Sequence, residues 1–269
     1  MKFSFKGLLT IAAAASALVL AGCGEKEADT SKIKVGVMAG AEAQVAEVAA
    51  KVAKEKYGLN VELVTFTDYV TPNAALDDGS IDLNAFQHKP YLDQQVTDRG
   101  YKLTIAGNTF VYPIAGYSKQ VKSVDEIQDG ARIAVPNDPT NLGRSLLLLE
   151  QQGLLKLREN VGLLATVRDI VENPKNITIV ELDAAQLPRS LDDVALSVIN
   201  TTYASSINLT PQKDGVFVED KESPYVNLIV SREDNAQAEN VQNFVKSYQT
   251  EEVYSAASDI FKGGVVKGW

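Results

Sequence analysis

Three stretches of this 269-residue sequence concentrate side chains that could hold a small, charged organic molecule. The first begins at Phe66-Thr67-Asp68-Tyr69 and resumes at Phe86-Gln87-His88-Lys89-Pro90-Tyr91. Phe66, Tyr69, Phe86, His88 and Tyr91 would gather flat, polarizable rings at one edge of a sheet. Such a slot suits an apolar or sulfur-bearing side chain, because thioethers make favourable contacts with aromatic rings. Ordinary packing at a sheet edge, with a hydrogen-bonded histidine, accounts for the same residues. The second stretch is Pro136-Asn137-Asp138-Pro139-Thr140-Asn141-Leu142-Gly143-Arg144-Ser145. Asp138 before Pro139 reads as a helix N-cap with proline at the first helical position. Helical side chains lean toward the N-terminus, so Arg144 can reach back over the turn that carries Asn141. Backbone N–H groups, the helix dipole and a guanidinium fork would then converge as a carboxylate site. The alternative is that Arg144 pairs with a surface acid while Asp138 only caps the helix.

The third set consists of amides after two further strands, in Asn200-Thr201-Thr202-Tyr203 and Pro224-Tyr225-Val226-Asn227. Asparagine can accept from an ammonium through its oxygen and donate to a carboxylate through its nitrogen. Asn200 and Asn227 beside Arg144 would therefore suit an α-amino acid zwitterion, although turn-forming asparagines are common at strand ends.

Other chemistries find little support. The single cysteine and single histidine rule out a thiolate cluster and a multi-histidine metal site, so no metal or cofactor is expected. A net charge of −9 repels phosphate backbones and excludes nucleic acid as an expected partner. Asp77-Asp78 and Asp192-Asp193 read as solvated turns, Gly36-Val37-Met38-Ala39-Gly40 lacks the phosphate-binding glycine pattern, and His88 has no nucleophile beside it. No catalytic set is expected.

The elements that must carry these residues follow from periodicity. An Ile-Val-Val strand over 32–38 precedes a helix in which Val45, Val48, Ala49, Val52 and Ala53 share one face, ended by Gly58. A strand over 60–66 completes a β-α-β unit with a parallel pairing. Short helices over 68–76 and 90–98 alternate with strands over 81–86 and 101–106. An extended apolar run at 109–114 interrupts the alternation. A second series follows: a helix over 123–127, a strand over 131–135, a helix over 139–152, and strands over 176–182 and 194–199. A polar loop over 210–223, an extended run over 225–230 and two helical patterns end the chain. Two α/β halves joined by two extended crossings imply two lobes, each an open α/β sheet, with a cleft between them and one lobe inserted into the other. The expected division is residues 32–112 with 229–269 against residues 113–228.

The start of the chain reads as an export signal. Lys2 and Lys6 precede an uncharged apolar stretch over 8–21 that ends in Leu20-Ala21-Gly22-Cys23. This run is shorter than a spanning helix requires. The tetrapeptide resembles the lipobox of bacterial lipoproteins, which implies cleavage of residues 1–22, lipid on Cys23 and a polar tether over 23–31.

Longer blocks carry a family resemblance. Asn84-Ala85-Phe86-Gln87-His88-Lys89-Pro90-Tyr91-Leu92, Asn108-Thr109-Phe110-Val111-Tyr112-Pro113, the 135–144 segment, Val198-Ile199-Asn200-Thr201-Thr202-Tyr203-Ala204, Tyr225-Val226-Asn227 and the terminal Val266-Lys267-Gly268-Trp269 resemble the MetQ/NlpA lipoproteins. The resemblance implies a type II periplasmic-binding-protein fold whose two lobes close on methionine. It also implies delivery to an ABC importer of permease and ATPase, by a monomer held in the bacterial envelope by its lipid and facing the periplasm. The head group would lie against Asn141, Arg144, Asn200 and Asn227, and the side chain against Phe66, Tyr69, Phe86, His88 and Tyr91. Another small amino acid or a methionine-containing dipeptide fits the same residues, as does an enzyme built on this fold.

Overall fold

The computed structural model describes residues 29–220 and 223–269. The signal segment, Cys23 and most of the tether lie outside them. Among the described residues no helix is long and apolar enough to cross a membrane.

The chain runs β1 (Lys32–Met38), α1 (Ala41–Tyr57), β2 (Asn60–Phe66), α2 (Thr71–Asp77), β3 (Leu83–His88), α3 (Lys89–Arg99) and β4 (Leu103–Val111). It then crosses to β5 (Ala115–Tyr117), β6 (Arg132–Pro136), α4 (Pro139–Gln151), β7 (Lys156–Leu157), β8 (Ile170–Glu172) and β9 (Thr178–Leu182). After α5 (Leu187–Ser190), β10 (Leu196–Ile199), α6 (Thr201–Ser206), α7 (Pro211–Asp214) and β11 (Phe217–Val218), it returns through β12 (Val226–Arg232). Helices α8 (Glu239–Tyr248) and α9 (Glu251–Ile260) and the short β13 (Val266–Lys267) finish it.

Two large sheets result, one ordered β13-β4-β12-β3-β1-β2 and the other β11-β5-β10-β6-β9, and β7 and β8 pair separately as a two-stranded ribbon. As the β-α-β pattern requires, β1 pairs parallel with β2 and β3, and β6 pairs parallel with β9 and β10. The returning β12 runs antiparallel between β3 and β4, so the first sheet is mixed. Val226 pairs with Val111 and Asn227 with His88, which puts residues 226–228 in the first sheet and not in the second half where the hydrophobic run suggested. The expected helix over 68–76 starts only at Thr71, because the Asp68 carboxylate accepts from the backbone N–H groups of Val70 and Thr71 and holds a turn ahead of it. The stretch over 123–127 forms a single 3-10 turn, Val124–Glu126.

Apolar clusters explain the layering. Val45, Ala49 and Val52 of α1 pack with Phe244 of α8 and Val253 of α9 on one face of the first sheet, while Leu76 and Leu92 cover the other. The second sheet is covered by α4 through Leu142, Leu146 and Leu149. A further cluster joins Met38, Phe86 and Tyr91 from the first half to Tyr117, Leu187, Ile199 and Tyr203 from the second. The two halves are therefore packed against each other around the carboxyl ends of β3, β6 and β10, where an open α/β sheet places its ligand.

All of β3 is buried, although it carries Asn84, Gln87 and His88. Buried amides must be paired, and these meet Asn73 of α2. The Asn73 side-chain oxygen accepts from Asn84 at 2.8 Å and from Gln87 at 2.6 Å, and its nitrogen donates to Gln87 at 2.8 Å. This closed amide network fixes the strand that leads into His88.

Gly143 permits a second close approach. A Cβ there would lie 2.2 Å from the Leu163 carbonyl oxygen, so α4 touches the following loop through bare backbone. Alanine gains roughly 1 kcal/mol of helix propensity, but the clash is with backbone that cannot swing away. Gly143→Ala should lower the unfolding free energy by about 1–3 kcal/mol in urea denaturation; a variant as stable as wild type would contradict this packing.

Candidate functional site

Helix α3 begins where β3 ends, and His88 makes the junction. Its backbone is extended, Pro90 occupies the first turn, and its Nδ1 accepts from the Tyr91 backbone N–H at 3.2 Å. The proton therefore sits on Nε2, which donates to the Asn141 side-chain oxygen at 3.3 Å. Burial first, and the nearby Arg144 guanidinium second, push the His88 imidazole down to about 3. It is a neutral, oriented donor at physiological pH, tying the first half to the second.

An aromatic wall stands beside it. The Tyr69 and Phe86 rings lie 5.9 Å apart, Phe86 and Tyr91 6.0 Å, and Tyr69 and Tyr203 4.9 Å. The Tyr91 hydroxyl donates to the Tyr69 carbonyl at 2.8 Å, which locks the wall in place. Phe66 is absent from the cavity lining. It lies over Gly36, where its Cε2 would sit 2.9 Å from an added Cβ, and fills the space above that glycine.

On the opposite side α4 follows β6. The Asp138 carboxylate accepts from the Asn141 backbone N–H at 2.9 Å, so the N-cap forms as its sequence requires. Asp138 also accepts from the Asn141 side-chain nitrogen at 2.9 and 3.1 Å. The Asn141 oxygen accepts from His88 and from Asn200 Nδ2, the latter at 2.9 Å. Every polar atom of Asn141 is thus engaged, and its role is to orient its neighbours. Asn200 keeps its Oδ1 buried with no hydrogen-bond partner. Asn227 donates to the Phe86 carbonyl at 3.1 Å.

Arg144 lines the same cavity as Asn141 and is held there by partners distant in the chain. Its Nε donates to Glu219 Oε1 at 2.8 Å, and its Nη2 donates to Glu219 Oε2 and, at 3.1 Å, to the Tyr112 carbonyl. The Tyr225 ring lies 4.3 Å beneath its Cζ. Both charged side chains are enclosed, at 3% and 10% exposure. The paired acid is therefore a buried one, and Nη1 takes no part in these bonds.

Tyr69, Phe86, His88, Tyr91, Asn141, Arg144, Asn200 and Asn227 line one cavity between the halves, with about 360 Å³ of space free of atoms, counting its mouth. Gln87, Tyr112, Thr201 and Thr202 line it as well. Gln87 and the two threonines adjoin residues that sequence reasoning had singled out, and strand-end position was the available signal. Glu219, in the polar loop before β12, carried none. The wall can take an apolar chain, the guanidinium an anion, and the free Asn200 oxygen a donor.

The profile of the NlpA lipoprotein family matches residues 33–269. The chain is 84% identical to the probable D-methionine-binding lipoprotein MetQ of Vibrio cholerae and 70% identical to the D-methionine-binding lipoprotein MetQ of Escherichia coli K12, with full coverage of both proteins in each comparison. It superposes on the crystal structure of the methionine-binding protein MetQ with a TM-score of 0.89 at 73% identity, covering 90% of this chain and 99% of that one. A nutrient-binding protein from Burkholderia cenocepacia, solved bound to methionine, gives a TM-score of 0.86 at 52% identity, covering 88% and 100%. With the two-sheet fold, the cavity and this agreement along the whole folded body, the chain belongs to the NlpA lipoprotein family.

Proposed function

We propose that the cavity takes free methionine and that the chain hands it to a membrane ABC importer of permease and ATPase. The observation that carries this reading is the buried Arg144–Glu219 pair beside the unpartnered Asn200 oxygen. Glu219 holds the guanidinium plane and leaves Nη1 to a carboxylate, a charge-assisted bond. Asn200 Oδ1 accepts from the ammonium, with the Asn227 oxygen as a second acceptor. The thioether lies along Tyr69, Phe86 and Tyr91. Relatives named for D-methionine binding, and a neighbour solved with methionine, support the assignment.

In this reading residues 32–111 with 226–269 form one lobe and residues 115–218 the other, and closure excludes water from the ligand. The chain is a carrier and not an enzyme. It acts as a monomer, lipidated at Cys23, tethered through residues 23–31 and facing the periplasm.

Calorimetry should find methionine binding that Arg144→Met weakens by at least ten- to a hundredfold, the equivalent of losing about 1.5–3 kcal/mol. Arg144→Met also strands a buried carboxylate, so its unfolding free energy should fall by about 3–5 kcal/mol. Adding Glu219→Gln should restore most of that stability and none of the affinity. A double variant that binds like wild type would sink the assignment. In competition against bound methionine, leucine should displace poorly and lysine or glutamate not at all. Equal displacement by leucine would transfer the site to another small amino acid.

A further inference from the structure

Glu42 lies in the first turn of α1 and is 3% exposed. Its Oε1 accepts from the Thr202 hydroxyl, on α6 of the other lobe. Thr202 lines the cavity two residues after Asn200, so this bond closes the lobes directly behind the ligand position. No cation answers the carboxyl among the described residues; burial and Thr202 are what act on it. The titratable groups that face it are phenols: Tyr69 after β2, Tyr112 at the first crossing, Tyr203 on α6 and Tyr248 on α8. Burial pushes each of these above the usual tyrosine range, so they stay uncharged and lend Glu42 no positive charge.

We propose that Glu42 is an interlobe latch whose carboxyl enters this dry site as the lobes close, bonds Thr202 in its protonated form, and so couples closure on ligand to uptake of one proton. The proposal rests on the carrier reading above. A carboxylic acid keeps a carbonyl acceptor, so protonation at Oε2 leaves Oε1 free to accept from Thr202. The first turn of a helix favours negative charge, yet burial outweighs it and pushes Glu42 up from 4.5 to about 8. Opening the cleft would withdraw Thr202 and Tyr203 of α6 and move the carboxyl back toward its ordinary value. The closed form therefore binds the proton more tightly, so closure is favoured at low pH and the advantage fades as pH rises through about 8. No residue of the cavity lining supplies this dependence: His88 titrates far below that window.

Titration calorimetry of methionine into the full protein, in buffers of different ionisation enthalpy, counts the protons. At pH 6–7 the wild type should take up a proton as it binds, and its affinity should fall as the pH rises toward about 8. Methionine's own ammonium and carboxylate hold constant charge over most of that range. Glu42→Gln, which retains the acceptor and cannot titrate, should bind with no uptake and a flat profile. Methionine binding to wild type without proton uptake overturns the latch and leaves the carrier reading intact. If methionine fails to bind at any pH, the carrier reading fails, and small-angle scattering of the ligand-free protein still judges the latch. A wild type more compact at pH 5.5 than at 8.5, against an unchanging Glu42→Gln, supports it; a wild type of constant radius overturns it.

Discussion

Taking a guanidinium out of water costs several kcal/mol unless its protons are met, and Arg144 is almost wholly enclosed. Three features meet that demand at Nε, Nη2 and the guanidinium face: the Glu219 carboxylate, the Tyr112 carbonyl and the Tyr225 ring. They come from different parts of the chain. Tyr112 lies on the outgoing crossing, Glu219 and Tyr225 on the returning one, and Arg144 on α4 between them. The charge pair thus pins both crossings to the inserted half. Much of the topology, in which β12 returns between β3 and β4, can be understood as the arrangement that brings these groups together at the mouth of the second sheet.

The same desolvation shapes the rest of the cavity. Burial moves His88 down and Glu42 up, opposite shifts with one cause, because a dry site disfavours whichever form is charged. Both are neutral between about pH 3 and about pH 8. Arg144 and Glu219 form an opposite-charge pair beside the cavity, and the Asp138 carboxylate lies behind Asn141. Asn141 completes the arrangement without a free atom of its own, since Asp138, His88 and Asn200 occupy all of its polar groups.

What was legible in the sequence was local. The N-cap at Asp138, the αL stop of α1 at Gly58 and the strands at 32–38 and 60–66 depend on neighbours within a turn or on simple alternation, and they form where expected. What escaped was set by distant partners. Glu219 lies 75 residues from Arg144 and in a loop without periodicity, so nothing in spacing could connect them. The run at 225–230 revealed an extended strand but not which sheet it would join, and pairing with Val111 and His88 put its first residues in the first sheet. Phe66 shared composition with the aromatic wall, yet the room above Gly36 drew its ring away from the cavity. Glu42 carried no signal in the sequence, since its bond to Thr202 spans 160 residues.

In the proposed complex a guanidinium held by Glu219 presents its remaining nitrogen to the ligand's α-carboxylate. At about pH 6, where both amines are protonated, methionine and methioninamide share the ammonium and the thioether and differ at the carboxyl group. Calorimetric titration of the wild-type protein with each tests this contact most directly. The amide should bind at least a hundredfold more weakly, the loss of a buried charge-assisted contact of about 3 kcal/mol. Equal affinity for the two would contradict it, because the carboxylate would then be bound elsewhere or not recognised at all.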